Sequence, residues 1–240
     1  MEAGRMNGKV VVVVGASSGM GYAVAKTFSE AAAKVVIAAR NEKALESLAL
    51  ELGGEHLVCV TDATDVASVE NLISSTLERF GRIDILVYAT GTNIPDRSME
   101  ELTYETWEMM MATNTSGAFN CTKALLACMK EQEEGLIIYI SSIAAKSADA
   151  SGVSYQASKH ALSGLAHGIH IEQQHNGIRT TIIFPGLTDT PLVKKRPVPT
   201  PEDVLAKALQ PQDVADACLY VATAPSRVRI SELVIEGAEL

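Results

Sequence analysis

Two side chains able to exchange a proton with a bound molecule, Tyr155 and Lys159, lie four residues apart. Residues 155–162 contain no proline or glycine, so we predict a helix that begins near Ser154. Residues four apart share one helix face, which would place the ammonium within about 4 to 6 Å of the phenol. At an effective dielectric near 20, a charge at that distance stabilises a phenolate by about 3 kcal/mol. We therefore predict that Lys159 lowers the pKa of Tyr155 toward neutral pH.

Two hydroxyl groups precede this helix at the end of an apolar run. Residues 135–142 read Gly-Leu-Ile-Ile-Tyr-Ile-Ser-Ser, which is typical of a buried strand ending at Ser141 and Ser142. Open parallel sheets bind their ligands at the carboxyl ends of strands. Successive side chains of a strand point to opposite faces, so only one of the two hydroxyls can enter a shared site. A Tyr and a Lys that merely face solvent are the alternative interpretation.

A glycine-rich turn follows the first predicted strand. Residues 9–14 read Lys and five valines, which predicts a strand buried on both faces, and an alanine-rich helix is expected over residues 22–32. Glycines between them allow a tight turn, close approach to a pyrophosphate, and packing of a helix whose first amides face the phosphates. We expect a dinucleotide to be bound by Gly15, Ser17, Ser18, Gly19, Met20 and Gly21.

These motifs, together with Asn114, resemble the short-chain dehydrogenase/reductase family over nearly the whole chain. The resemblance implies an α/β fold: a Rossmann-type doubly wound parallel sheet of about seven strands in a three-layer αβα domain spanning residues 1–240. It also implies carbonyl reduction or alcohol oxidation with a nicotinamide cofactor. The catalytic residues would be Ser142, Tyr155, Lys159 and Asn114, with Tyr155 and Lys159 also contacting the cofactor. Ser142 is preferred to Ser141 because it lies 13 residues before Tyr155, the spacing of the family.

The residues after the second predicted strand, Lys34–Ala39, indicate which dinucleotide is bound. Folds that prefer NAD place an acidic residue there to hold the ribose 2′-hydroxyl. This chain has Arg40 followed by Asn41. A guanidinium suits a 2′-phosphate in charge and geometry, so we predict NADP(H) in preference to NAD(H). The alternative is that Arg40 is only a solvated residue at the start of a helix.

The resemblance assigns further cofactor contacts at later strand ends. Asp62 and Ala63 would border the adenine, although Asp62 and Asp65 could both be helix caps. Thr190 would hold the nicotinamide carboxamide. The other expected contacts are Ala89, Thr90, Gly91, Pro185, Gly186 and Thr188.

The chain departs from the family between the first and fourth strands. The usual Asn-Asn-Ala-Gly reads Tyr88-Ala89-Thr90-Gly91, and Val14 stands where a Thr normally opens the glycine motif. We predict that an apolar contact replaces the polar one of the family. Asn114 falls inside a helix predicted from residue 103 to about 129, and in the family this Asn sits at a kink and holds a water linked to the lysine.

The segment at about 187–210 is expected to be a substrate lid. It contains Lys194, Lys195 and Arg196, which could alternatively be a nuclear address or a phosphate-binding patch. Residues between this turn and the next helix close over the site in the resembling enzymes. Because the loop is short, we expect it to contribute little to a bulky pocket.

The composition argues against several classes of partner. A formal net charge of −9 over 240 residues disfavours nucleic acid and anionic membranes. The chain shows no apolar run of signal-peptide or membrane-spanning length, so we expect a cytoplasmic protein. We expect the four cysteines to be reduced thiols in the core. The histidines have no carboxylate or cysteine at ligand spacing, so no metal site is expected. The family resemblance suggests a homodimer or homotetramer.

The substrate is less well defined than the chemistry. Residues 225–235 resemble the branch that contains 3-hydroxy acid and clavulanate dehydrogenases. Two rival functions stay open: a 3-oxoacyl-carrier-protein reductase, and a catalytically silent scaffold that binds NADP(H).

Overall fold

The computed structural model describes residues 6–239, so the expected domain over residues 1–240 extends at both ends beyond the described part. Within it, seven strands form one sheet of order β3-β2-β1-β4-β5-β6-β7, and all neighbouring pairs are parallel. The strands are β1 (Val10–Val14), β2 (Lys34–Ala39), β3 (His56–Val60), β4 (Ile85–Tyr88), β5 (Gly135–Ile140), β6 (Ile178–Pro185) and β7 (Glu232–Ile235). The predicted doubly wound parallel sheet is confirmed.

Helices connect the strands and cover both faces of the sheet. They are α1 (Gly19–Glu30), α2 (Glu42–Ala49), α3 (Val66–Phe80), α4 (Tyr104–Met111), α5 (Gly117–Gln132), α6 (Val153–Gln173), α7 (Glu202–Leu205) and α8 (Pro211–Ala222). Asp65 caps α3 as predicted, because its carboxylate accepts from the Ala67 amide. Between residues 6 and 239, no helix combines the length and apolar character needed to cross a membrane.

Strand β1 shows why the chemistry must lie at an edge of the sheet. Its five valines are all buried, and their alternation divides them between two cores. Val11 and Val13 join a core with α1, α2 and α8, whereas Val10, Val12 and Val14 join one with α3, α5 and α6. Both faces are therefore filled with apolar side chains, and polar groups can meet a ligand only where the strands end.

The long helix predicted from residue 103 to about 129 is interrupted. A π-helical turn, Ala112–Ser116, lies between α4 and α5, and Asn114 is fully buried within it. Such turns insert a residue into a helix and redirect the side chains around them. The family resemblance implied a kink at Asn114, and the turn lies there, in residues 112–116, which carry no large apolar side chain.

Tyr88 connects β4 to this turn. It lies opposite Val14 in the parallel register, and both side chains are buried in the same core, in agreement with the predicted apolar contact. Its hydroxyl, however, donates a 2.7 Å hydrogen bond to the Thr113 carbonyl in the π-helical turn. The end of β4 therefore keeps a polar group, the Tyr88 hydroxyl, but this hydroxyl binds the residue before Asn114 and not the end of β1.

We expect Tyr88→Phe to lower the free energy of unfolding by about 1 to 2 kcal/mol, because it removes a buried hydrogen bond. It should also speed amide hydrogen exchange in the π-helical turn. Tyr139→Phe is the matched control, because the Tyr139 hydroxyl is equally buried and contacts Thr122, 2.6 Å away, outside the turn. The control should lose stability without faster exchange in the turn. Equal exchange in both variants would contradict a specific role for Tyr88.

Candidate active site

The carboxyl ends of the strands surround a first cavity of about 430 Å³. Loops after β1 to β5 and the start of the 187–210 segment form its walls. Most of the residues predicted to bind a dinucleotide line it: Gly15, Ser17, Ser18, Gly19, Met20, Arg40, Asn41, Asp62, Ala63, Ala89, Thr90, Gly91, Tyr155, Lys159 and Thr190. The fold therefore brings together residues that are up to 175 positions apart in the chain, from Gly15 to Thr190.

Glycines shape this cavity where backbone segments nearly touch. Gly15 has a φ of +96°, and a Cβ there would lie 2.8 Å from the Ala89 carbonyl carbon. A Cβ at Gly91 would lie 3.1 Å from the Lys159 ammonium. Gly21 does not line the cavity: a Cβ there would collide with the Gly15 carbonyl, so this glycine lets α1 pack against the turn. Glycine at positions 15 and 91 thus permits close packing of the segments after β1 and β4 around this cavity, and such a backbone-lined cavity suits a phosphate-bearing ligand.

A positive charge lies at the end of the cavity formed by β2. Arg40 is exposed there, near Asp62. The pKa of Asp62 is lowered mainly by the hydrogen bond from the Thr64 amide, and also by the Thr64 hydroxyl and the charge of Arg40. Asp62 closes a turn with Thr64 and does not cap α3. Asn41 lines the cavity and also caps α2 by accepting from the Ala44 amide.

Tyr155 and Lys159 occupy one face of α6, as predicted, with the ammonium 5.8 Å from the ring centre. The predicted fall in the pKa of Tyr155 is wrong. Burial raises its pKa, while the Ser142 hydroxyl, Arg196 and Arg97 act in the opposite direction. Burial also lowers the pKa of Lys159 to about 8. The pKa of Tyr155 rises because both groups are desolvated inside the protein, whereas a dielectric near 20 describes groups close to the surface.

The ammonium of Lys159 is held at the end of β5. It donates a 3.1 Å hydrogen bond to the Ile140 carbonyl and is almost completely buried. The same strand end carries the two serines. Ser141 is buried and donates to the Lys159 carbonyl at 3.1 Å, which ties β5 to α6. Ser142 is half-buried and accepts from the Ala144 amide at 3.2 Å, so its own hydrogen remains available for donation.

Asn114 lies behind the site, outside the lining of either cavity described here. Its amide oxygen accepts from the Thr92 amide at 2.8 Å, and its amide nitrogen donates to Thr92 carbonyl and to the Ser158 hydroxyl. The side chain therefore joins the π-helical turn to α6 and to the segment after β4.

A second cavity of about 560 Å³ adjoins the first. Ser142 lines it, together with Pro185, Gly186 and Thr188, which therefore lie beyond the first cavity. The two cavities share the wall residues Met20, Ser141, Tyr155, Thr190 and Leu192. Tyr155 thus stands at the junction, where a molecule in either cavity can reach it.

The expectation that the 187–210 segment adds little to the pocket is wrong. Nine of the residues from Leu192 to Val204 line the second cavity: Leu192, Val193, Arg196, Pro197, Val198, Pro199, Thr200, Pro201 and Val204. A β-bridge between Thr188 and Leu209 joins the two ends of this segment. The Lys195 ammonium donates to the Thr92 hydroxyl at 3.1 Å, which joins the 187–210 segment to the segment after β4.

Sequence reasoning missed Arg97 and Gly152. Arg97 is only 8% exposed, lines the second cavity, and donates to the Lys195 carbonyl at 2.8 Å. Gly152 precedes α6 with a φ of +93°, and a Cβ there would lie 2.8 Å from the Arg97 Cβ. A lone Gly before a helix was the available signal for Gly152, whereas no local pattern marked Arg97. Among the described residues, no cluster of three His, Cys, Asp or Glu side chains is suited to a metal.

Comparison with known proteins places this arrangement in a family. The short chain dehydrogenase model matches residues 9–199. An uncharacterized oxidoreductase of Staphylococcus aureus is 34% identical, over 95% of this chain and 96% of that protein. Two solved structures cover nearly all of the chain. A serine dehydrogenase complexed with NADP⁺ is 29% identical with a TM-score of 0.88, covering 96% of each chain. A 3-ketoacyl-(acyl-carrier-protein) reductase from Brucella melitensis complexed with NADH is 28% identical with a TM-score of 0.89, covering 97% of this chain and 98% of that one. The chain belongs to the short-chain dehydrogenase family.

Proposed function

We propose that this enzyme is an NADP(H)-dependent oxidoreductase that interconverts a carbonyl group and a secondary alcohol. The observation that carries the proposal is the position of Tyr155 on the wall shared by the two cavities, one helical turn from Lys159. The first cavity would hold the dinucleotide and the second the substrate. The glycine cradle and the helix start at Gly19 fit the pyrophosphate of such a cofactor.

Each polar residue at the junction has a separate part in this proposal. When bound, the reduced nicotinamide supplies a hydride to the carbonyl carbon. Ser142 donates a hydrogen bond to the substrate oxygen as it gains negative charge. Tyr155 transfers its proton to that oxygen, so that the carbonyl becomes a hydroxyl, and alcohol oxidation follows the reverse path. Lys159 stabilises the resulting phenolate by its charge.

The raised pKa of Tyr155 fits its part as the proton donor in carbonyl reduction. Because burial keeps the phenol protonated at neutral pH, Tyr155 enters carbonyl reduction already carrying the proton it must give up. A buried, desolvated pair also interacts more strongly than the same pair in water. The proton transfer therefore gains from Lys159 at the moment when the phenolate forms.

The preference for NADP(H) rests on Arg40. It is exposed at the rim of the first cavity, on the strand end where the ribose 2′-position is expected. Both NADP⁺ and NADH occur in the solved relatives, so the family alone does not decide between them. A guanidinium placed there favours the phosphorylated ribose by charge-assisted hydrogen bonds.

A 3-oxoacyl-carrier-protein reductase is the second candidate, supported by the similarity to the Brucella enzyme and by the exposed basic residues of the lid. Such an enzyme would reduce 3-oxoacyl thioesters in preference to free acids and small ketones. A cofactor-binding scaffold would bind NADPH and reduce none of these compounds.

Fluorescence titration of NADPH and NADH tests the cofactor. We expect the wild type to bind NADPH more tightly, and Arg40→Asp to weaken NADPH binding roughly 10- to 100-fold with little effect on NADH. Lys43→Asp is the matched control, because Lys43 is exposed nearby on α2 outside the cavity lining. Unchanged NADPH affinity in Arg40→Asp would refute the assignment of Arg40.

The two adjacent serines provide a second test. Ser142→Ala should lower kcat roughly 100- to 1,000-fold, because it removes a donor to the developing oxyanion. Ser141→Ala should instead lower the melting temperature, because its hydroxyl links β5 to α6. Equal losses of kcat in the two variants would contradict the division of roles.

The pH profile tests Lys159. A group that acts in its protonated form loses its effect as pH rises through its pKa, here about 8 in the free protein. The kcat/KM of carbonyl reduction, which reports groups of the free enzyme, should therefore be level near neutral pH and fall above about pH 8. In Lys159→Arg the guanidinium stays charged, so a lower rate without this fall is expected. The same fall in Lys159→Arg would place the titration on another group.

A further inference from the structure

Arg97 is a buried cation with too few partners. A guanidinium has five N–H donors, but Arg97 makes one hydrogen bond in the structure, to the Lys195 carbonyl, and its Nε has no partner. Across residues 6–239, no carboxylate forms an ion pair with Arg97. Burying a charge without an ion pair is costly, so a cation 8% exposed calls for an anion closer to it than any carboxylate of these residues.

The cavity that contains Arg97 has a positive balance. Its charged lining residues are Arg97, Arg196 and Asp149. Asp149 uses one carboxylate oxygen to accept from the Ser151 amide at 2.9 Å. Burial lowers the pKa of Arg97 and the charge of Arg196 lowers it further, whereas the charge of Asp149 acts in the opposite direction. Two guanidinium groups thus repel each other across a partly closed space, and an anion between them would relieve that repulsion.

Both guanidinium groups lie near the reacting phenol. Arg196 and Arg97 each act on Tyr155 by charge, and all three side chains line the second cavity. The wall also contains Ser151, whose buried hydroxyl has no hydrogen-bond partner. An anionic group held by these donors would therefore sit on the same small molecule as the carbonyl that faces Tyr155.

We propose that Arg97, together with Arg196 from the lid, binds a carboxylate of the substrate, so that the substrates are oxo acids and hydroxy acids. This inference rests on the proposed function, because it names the substrate class of the same site. The cavity of about 560 Å³ has room for a small acid that reaches from the arginines to Tyr155.

The backbone holds Arg97 in a fixed relation to Tyr155. The positive φ of Gly152 and the absence of a Cβ let the start of α6 pack directly on the Cβ and carbonyl oxygen of Arg97, each 2.8 Å from the position a Cβ would take. Tyr155 follows three residues later on the same helix. Because Arg97 also bonds the Lys195 carbonyl, a carboxylate shared with Arg196 would join the lid to the body of the enzyme.

A purely structural role for Arg97 makes a different prediction. If Arg97 only tied the lid through Lys195, its removal would impair every substrate to a similar degree. If it binds a carboxylate, its removal would impair acids and spare neutral molecules of the same size. Paired substrates that differ only in this charge therefore separate the two roles.

The test compares 2-, 3- and 4-oxopentanoate with their methyl esters, using NADPH oxidation to measure kcat and KM. The wild type should prefer one or more acids to the matching ester. Arg97→Met should lower kcat/KM for that acid roughly 100-fold, mainly through KM, and change the ester by less than about threefold. Arg97→Lys should recover part of the loss, and Arg227→Met, at an exposed arginine outside the cavity, should have no effect.

Equal losses for acid and ester in Arg97→Met, or a wild type that prefers the esters, would overturn the carboxylate site while leaving the proposed reaction intact. Calorimetric titration of the same compounds into the protein with NADP⁺, where no hydride is available, separates the two hypotheses. If no compound is reduced, the proposed function fails. Acid binding that exceeds ester binding and is lost in Arg97→Met would then still support the carboxylate site, and its absence would refute that site as well.

Discussion

The site depends on one enclosed cation, the ammonium of Lys159. It is buried between the end of β5, whose Ile140 carbonyl accepts its hydrogen bond, and the turn at Gly91, where even a Cβ would press against it. The backbone around this ammonium has little freedom to move, because β5 lies between β4 and β6 in the sheet and α6 is tied to β5 through Ser141. The phenol of Tyr155 lies one turn away on α6, so the hydrogen bond that ties α6 to β5 also fixes its position.

Burial gives this pair properties that an exposed pair would not have. Desolvation raises the pKa of Tyr155 and lowers that of Lys159, so both titrations move toward the uncharged forms. Carbonyl reduction needs a neutral phenol at the start and a stabilised phenolate at the end. A buried phenol with a nearby ammonium satisfies both requirements, because the cation acts mainly when negative charge develops.

Behind Tyr155 and Lys159, the site is supported by the π-helical turn and by Tyr88. The π-helical turn places Asn114 where it binds Thr92 and Ser158, and Tyr88 holds the turn through the Thr113 carbonyl. On the other side, the 187–210 segment forms much of the wall of the second cavity, and two hydrogen bonds at Lys195 join it to Thr92 and Arg97. Tyr155 and Lys159 lie on a helix, whereas most residues that line the second cavity lie on loops, a division that lets one fold serve many substrates.

The sequence by itself determined the parts that depend on short-range patterns. The unbroken run of five valines, the helical spacing and the glycines between them predicted the sheet and its turns, and the spacing of Tyr155 and Lys159 placed both on one face. The family resemblance implied a kink at Asn114, but only the tertiary structure showed that the kink is a π-helical turn, which residues of the 187–210 segment line the second cavity, and that Arg97 is buried. It also reversed the direction expected for the pKa of Tyr155. These properties are set by burial and by charges contributed from distant segments, and neither quantity is encoded in the residues next to them.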